Sequence, residues 1–460
     1  MSALDSDFKT IAALSTPPGY GGIGVIRLSG KDSLSILQSL LVEPPSKGFD
    51  PNHSVLLPLR NPETGLIIDQ ALVTWFRAPQ SFTGEDVVEI SCHGSPIVLS
   101  EVLRLLQSAG ASLAEPGEFS LRAFLNGRLD LAQAEAIRDL IHSQTTYQAQ
   151  LAARQLDGEL SRQLKPLKER LVNLIVHFES AVEFVEDDLD PVDVEKFAQT
   201  LDEITSDLTR LSGSYRLGRV VEAGIKLALI GRPNVGKSSL FNALLGRDRA
   251  IVTTIPGTTR DTLRERFSVN GIPAELVDTA GLRDADDPVE KIGVERTRSA
   301  AADADIIIGV VDLTDEANDL DLELFRAHPP QLIALNKNDL RQMRSEVELQ
   351  ELSGIAPVIR ISATSGSGLD ELVLRIYDVI TSGISPAVEG AIITNARHFA
   401  AIETARESLI TAKNALKEGF TEEVALSQLH RALSALGVIT GETLIADILN
   451  QIFSTFCIGK

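Results

Sequence analysis

Near the start of the chain, apolar and polar residues alternate in short runs at residues 23–28 (Ile-Gly-Val-Ile-Arg-Leu), 72–76 (Leu-Val-Thr-Trp-Phe) and 87–90 (Val-Val-Glu-Ile). A period of two places successive side chains on opposite faces of a strand, whereas residues 97–108 repeat at helical spacing. Residues 23–125 therefore predict a compact α+β domain. From residue 129 to about 219 the spacing turns helical with few breakers, Gly158, Pro166 and Pro191 among them. Between about 223 and 381, strand-length apolar runs alternate with helical segments, which predicts an α/β domain on a mostly parallel sheet. After the breaker-rich stretch 382–390, helical spacing returns over 395–453. The simplest packing joins the two helical stretches into one discontinuous α-helical bundle with the α/β domain inserted in a connecting loop. The expected fold class is multidomain α+β and α/β, with boundaries at 1–126, 127–221, 222–383 and 384–460.

The apolar run 225–230 leads directly into Gly231-Arg-Pro-Asn-Val-Gly-Lys-Ser238. A glycine-containing turn between a strand and a helix lets backbone N–H groups face the phosphates of a nucleotide. Lys237 adds a point charge, the Ser238 hydroxyl suits magnesium, and the helix behind them turns its positive end toward the anion. Asn234, Val235, Gly236, Lys237, Ser238 and Ser239 are thus the expected phosphate-binding residues.

The base is read further along, at Asn336-Lys337-Asn-Asp339, which closes the apolar strand 331–335. A carboxylate there accepts two hydrogen bonds from the N1–H and N2 amine of guanine; adenine offers neither, so GTP is expected. Asp278-Thr279-Ala280-Gly281 follows another apolar run and suits an acid holding magnesium through water and a glycine sensing the γ-phosphate. Ser362-Ala363-Thr364 lies where a loop would touch the guanine ring. The segment containing Thr253, Thr254, Ile255, Pro256, Gly257, Thr258 and Thr259 occupies the place of a first switch, where a threonine, taken as Thr259, can complete the magnesium shell. Each motif is weak singly, and the ordered set predicts a Ras-like P-loop G domain. Ras-like enzymes place a water-orienting glutamine after Asp-x-x-Gly, but this chain has Leu282 there. Asp284, Asp286, Asp287 and Glu290 follow closely, and spacing alone does not choose among them.

Composition narrows the class. Hydrophobic residues at 43% and charged residues at 23% describe an ordinary soluble protein, and the longest apolar runs are too short to span a membrane. Two cysteines, Cys92 and Cys457, cannot build a disulfide framework, and acidic residues near the N-terminus argue against a leader; the expected location is cytoplasmic. Lys plus Arg is 43 against 64 Asp plus Glu, a formal charge of −21, so an RNA contact needs a local basic patch or a basic partner. Gly19 to Gly24 imitates a dinucleotide fingerprint, but Pro17 and Pro18 precede it in place of a strand, and a turn is expected. Cys92 beside His93 is expected to be a small buried thiol at a strand end. Cys457 and Lys460 end the chain after apolar residues 452–456, which suggests a docked tail that completes a site.

Several stretches together carry a family resemblance: 16–27 (Thr-Pro-Pro-Gly-Tyr-Gly-Gly-Ile-Gly-Val-Ile-Arg), 81–89 (Ser-Phe-Thr-Gly-Glu-Asp-Val-Val-Glu), 116–120, 123–136, the GTPase motifs and the tail Phe456-Cys-Ile-Gly-Lys460. Over nearly its whole length the chain resembles the bacterial tRNA-modification GTPases of the MnmE (TrmE) family. The resemblance implies an N-terminal folate-binding and dimerisation domain for 5-formyl- or methylene-tetrahydrofolate, with contacts at Arg27, Glu89, Arg128 and Lys460. It implies a potassium ion held by Asn234, Thr253, Ile255 and Thr258 in place of an arginine finger, and it selects Glu290 as the residue that orients water. It also implies a homodimer and a heterotetramer with the FAD-binding partner MnmG (GidA). That assembly would form 5-carboxymethylaminomethyl or aminomethyl uridine at the tRNA wobble position. A regulatory GTPase switch of ribosome assembly would carry similar motifs, as would a folate-dependent one-carbon transferase regulated by GTP; no basic RNA-binding module favours the former.

Overall fold

A computed structural model describes residues 8–45, 48–183, 194–247, 266–277, 302–315, 319–382, 390–418, 420, 422–443 and 446–459. The fold divides into two compact units, one of Met1–Arg138, Leu156–Gly158 and Gly437–Lys460, the other of Asp139–Gln155 and Glu159–Leu436. Among the described residues, no helix is long and apolar enough to cross a membrane.

The first unit is built on a six-stranded sheet of β1 (Ile11–Leu14), β2 (Ile23–Ser29), β3 (Ser54–Arg60), β4 (Ile67–Phe76), β5 (Val87–His93) and β6 (Ser112–Leu113), in the order β3-β4-β5-β2-β1-β6. All pairs are antiparallel except β1 with β6. Period-two patterning sets the two faces. Ile26, Leu28, Val88, Ile90 and Cys92 point into one core with Leu99, Val102 and Leu105 of the helix Pro96–Ser108. That helix begins where Pro96 supplies a fixed φ at its first turn and loses no N–H that the helix needs. The residues between them, Arg27 and Glu89, necessarily share the opposite face, and the antiparallel register sets them side by side. Residues 15–22 form the expected turn-rich loop, closed by hydrogen bonds from Gly21 N–H to the Gly94 carbonyl and from Gly94 N–H to the Gly22 carbonyl.

The second unit holds a six-stranded sheet of β7 (Ile225–Ile230), β8 (Arg266–Val269), β9 (Ile272–Leu276), β10 (Ile306–Asp312), β11 (Leu332–Asn336) and β12 (Val358–Arg360), ordered β12-β11-β10-β7-β9-β8. Every pair is parallel except the β8–β9 hairpin. The central strands β10 and β11 are buried almost throughout, which is why they read as unbroken apolar runs. Long helices flank the sheet segment in sequence: Glu159–Glu183 and Val194–Gly213 before it, Ala396–Lys417 and Glu422–Thr440 after it. Val194–Gly213 and Ala396–Lys417 pack together, with Lys413 paired to Asp202. Nearby, Tyr215 stacks on Phe399 at 4.3 Å between ring centroids. Helices on either side of the α/β segment thus meet in one bundle.

Candidate functional site

Motif residues gather at the carboxyl edge of the parallel sheet, where βα loops of open α/β folds bind ligands. The loop after β7 carries Asn234 in the left-handed region, φ 63°, and delivers the chain into the helix Lys237–Arg247, whose Leu240 N–H reaches the Gly236 carbonyl at 2.9 Å. Val235 is fully buried and anchors the loop, while Asn234 and Ser239 are exposed and Ser238 is half-buried. The Lys237 ammonium donates to the carbonyls of Gly231 at 2.8 Å and Arg232 at 2.7 Å, so the loop holds its own cation in place. Burial pulls the Lys237 pKa down to about 8, and the negative charge of Asp321 opposes that shift.

Asn336, at the end of β11, ties this loop to the loop that follows β12. Its amide Nδ2 donates to the Val235 carbonyl at 2.9 Å, and its Oδ1 accepts from Ala363 N–H at 3.0 Å. Only glycine fits at 236, because φ is +95° there and a Cβ would collide with Asn336 Nδ2. Losing a buried partner of this kind costs about 1–3 kcal/mol, so the clamp fixes the spacing of the loops after β7 and β12. Lys337 sits at φ 63° and pairs with the Asp312 carboxylate at the end of β10. Burial pushes that carboxylate up, but hydrogen bonds from Lys337 and Thr314 outweigh it and hold its pKa below the usual value. Asp339 is left exposed beyond this anchor. Ser362 is buried and accepts from Ser365 N–H at 3.0 Å, which shapes the turn that carries Ala363 and the exposed Thr364.

In the first unit, Arg27 is forked onto Glu89, Nε and Nη2 donating to Oε1 at 2.9 and 2.7 Å. The guanidinium lies 5.6 Å from the Phe82 ring centroid and 5.8 Å from that of Phe119. The tail of the chain is docked there: Gly459 carbonyl accepts from Ser15 Oγ at 3.1 Å and Arg27 Nη1 at 3.4 Å, and Cys457 carbonyl from Gly117 N–H at 3.3 Å. Phe453 and Phe456 anchor it among Phe124, Leu131 and Ala134. Arg128 is exposed beside Gly84, and among the described residues no hydrogen bond links its side chain to the Arg27–Glu89 pair.

Comparison with known proteins decides what these sites belong to. Residues 131–457 match the family model described as the MnmE helical domain, and residues 10–128 match the one described as the GTP-binding protein TrmE N-terminus. A protein of Koribacter versatilis named tRNA modification GTPase MnmE is 45% identical over 98% of this chain and 99% of its own length. Proteins of the same name from Thermoanaerobacter pseudethanolicus and Natranaerobius thermophilus are each 42% identical over 98% of this chain, covering 100% and 99% of their lengths. The chain belongs to the MnmE family.

Seen as a family member, the molecule brings together Asn234, Val235, Gly236, Lys237 and Ser238 with Asn336 and Ala363, and pairs Arg27 with Glu89. Thr253, Thr254, Ile255, Pro256, Gly257, Thr258, Thr259, Asp278, Thr279, Ala280, Gly281, Glu290 and Lys460 lie outside the described residues. Sequence reasoning assigned Asn336 to the nucleotide and missed its contacts to two other loops, which only the tertiary fold creates. It also missed Asp312, Asp321 and Arg344, buried charges with no local signal beyond their polarity. Cys92 is buried as expected, and burial, aided by the charge of Asp69, raises its thiol to about 12, far from a reactive state.

Proposed function

We propose that this chain is a potassium-activated GTP hydrolase. With an FAD-dependent partner of the MnmG type, it uses a tetrahydrofolate one-carbon unit to form 5-carboxymethylaminomethyl or aminomethyl uridine at the tRNA wobble position. The observation that carries the reading is the Asn336 clamp, which joins a phosphate loop to a guanine-reading loop in a chain of the MnmE family. In this reading residues 222–383 are an inserted G domain, 127–221 and 384–460 a discontinuous helical domain, and 1–126 the folate-binding and dimerisation domain. Asp339 accepts the guanine N–H donors, and Ala363 and Thr364 border the ring.

Lys237 and the loop N–H groups hold the β- and γ-phosphates, and Ser238 with Thr259 holds magnesium. Exposure of Asn234 on the outer turn of the loop suits a potassium ligand, with Thr253, Ile255 and Thr258 as the others. A cation there would supply positive charge between the phosphates. The arginine of the phosphate loop does not supply it, since Arg232 is bound to Asp315 and Asp321. Glu290 orients the attacking water, the role that Leu282 cannot fill. For folate, Glu89 offers a carboxylate to pterin N–H donors, and Arg27, Arg128 and Lys460 offer cations to carboxylates. The half-buried Phe82 ring beside Arg27 suits a flat aromatic ligand.

The test is steady-state GTP hydrolysis by the full chain in matched potassium and sodium buffers, with nucleoside analysis of tRNA from a deletion strain. Turnover is expected to rise by about tenfold or more in potassium, the scale of one well-placed electrostatic contact. Glu290→Ala should bind GTP and lose hydrolysis, and the deletion strain should lack a wobble-uridine modification. Equal turnover in both salts would remove the potassium assignment, and unchanged nucleosides would remove the tRNA reaction.

A further inference from the structure

Behind the phosphate loop lies a buried carboxylate that none of the nucleotide motifs contains. Asp321, in the first turn of the helix Asp319–Ala327, is completely buried. Its Oδ1 accepts from Arg232 Nε at 3.0 Å, and its Oδ2 from Arg344 Nη2 at 2.6 Å. Arg344, also buried, spends its Nε on the Asp312 backbone carbonyl at 2.9 Å. Asp312 is the residue whose carboxylate holds Lys337 of the base loop. On the other side, the Arg232 carbonyl is one of the two that grip the Lys237 ammonium. A continuous path of hydrogen bonds therefore runs from Lys237 through Arg232, Asp321 and Arg344 to the strand that carries the base-reading anchor.

We infer that Asp321 is a positioning residue for nucleotide binding, which acts through Arg232 to set the phosphate loop in register with the base loop. The geometry gives the reason. Arg232 sits in the turn between β7 and the helix Lys237–Arg247, and its planar guanidinium offers donors in fixed directions. An acceptor at a fixed point in the core therefore fixes the backbone of that turn as well as the side chain. The backbone carbonyls of Gly231 and Arg232 in turn fix where the Lys237 ammonium stands before a phosphate arrives. Asp315 also accepts from Arg232, at 3.1 Å, but it is half-exposed and cannot impose a comparable position. Arg344 supplies the second donor that orients Asp321, and links it to the β10 end. Loss of this register should fall on the β-phosphate, the group that Lys237 reaches, and spare the base and α-phosphate.

The inference rests on the guanine-nucleotide reading of the site and deepens it, so wild-type GDP binding is the control that separates the two. If the wild-type chain does not bind GDP, the site reading itself fails. Given binding, the dissociation constants for GDP and GMP are compared by competition against fluorescent GDP for wild type, Arg232→Gln, Asp321→Asn and the double variant. Arg232→Gln leaves the buried Asp321–Arg344 pair intact, so it stands as the informative variant should Asp321→Asn fail to fold. GDP affinity is expected to fall about tenfold in each single variant while GMP affinity changes less than about twofold, and the double variant should be no weaker than the worse single one. A general loss of fold quality would weaken both ligands equally. Parallel losses for GDP and GMP in Arg232→Gln, or additive losses in the double variant, would overturn the inference.

Discussion

Lys237 shows how a motif residue depends on surroundings that its motif does not contain. Burial lowers its pKa to about 8, against an opposing contribution from Asp321. The ammonium is therefore present below that pH, and above it the free site must take up a proton before it can hold phosphate. A bound diphosphate favours the charged form, so binding and protonation are coupled. GDP affinity should be nearly flat below pH 8 and weaken as pH rises, by about tenfold between pH 7 and pH 9. Equilibrium titration with fluorescent GDP at constant ionic strength measures this directly. Lys237→Arg, which keeps its charge throughout, should bind more weakly but lose the slope. A wild-type affinity that does not change over this range would mean that the proton resides elsewhere. The sequence named Lys237 from the loop pattern, because the chemistry of phosphate binding is local. The carbonyls of Gly231 and Arg232 that hold it lie in the same loop but carry no side-chain signal, and the Asp321 carboxylate that tunes it was not legible because it comes from a distant segment.

At the scale of elements, the helix Glu159–Glu183 runs through Pro166, a residue that sequence reasoning treated as a breaker. Proline has no N–H to donate to the carbonyl four residues back, a defect worth about 3 kcal/mol in a helix interior. What carries the helix across it is a continuous buried face of Leu160, Leu164, Leu167, Leu171, Ile175 and Phe178, each burial contributing about 1.5–3 kcal/mol. Pro166→Ala is therefore expected to raise the stability of the chain by about 1–3 kcal/mol, read as a higher urea midpoint at unchanged slope. A midpoint at or below the wild-type value would mean that Pro166 itself is needed for packing. The same balance explains what could be read from the rest of the chain. β2, β4, β5 and the helix Pro96–Ser108 were legible because their patterns are long enough to declare a period. β1 is only Ile-Ala-Ala-Leu, too short and too alanine-rich to announce a strand, and its pairing with β2 and β6 supplies what propensity does not. β3 contains Pro58, which argues against a strand except at a sheet edge, and the edge is where β3 lies. The parallel sheet was legible because its strands are buried on both faces. A docked tail was suggested by its cysteine and lysine, but its place on Arg27 through the carbonyl of Gly459 could not be, as backbone groups carry no sequence signal.

For the whole molecule, the formal charge of −21 bears on two anionic ligands in different ways. The diphosphate of a nucleotide spans less than the distance over which charges act in physiological salt, about 8 Å, so the local ammonium of Lys237 and the start of its helix dominate there. A tRNA spans many such lengths, and its affinity depends on how many phosphates are neutralised along the contact. A chain with 64 acidic and 43 basic residues offers few such contacts unless a partner provides them. The full chain alone is therefore expected to bind tRNA weakly, and its complex with the proposed FAD-dependent partner to bind at least about tenfold more tightly at the same salt. The complex should also show the steeper loss of affinity with rising salt, because the partner's cations release counterions condensed on the RNA. Gel-shift titrations of chain, partner and complex across a salt series distinguish the cases. If the chain alone matches the complex in both affinity and salt slope, the acidic surface hides a local basic patch, and the partner has some other role than gathering the RNA.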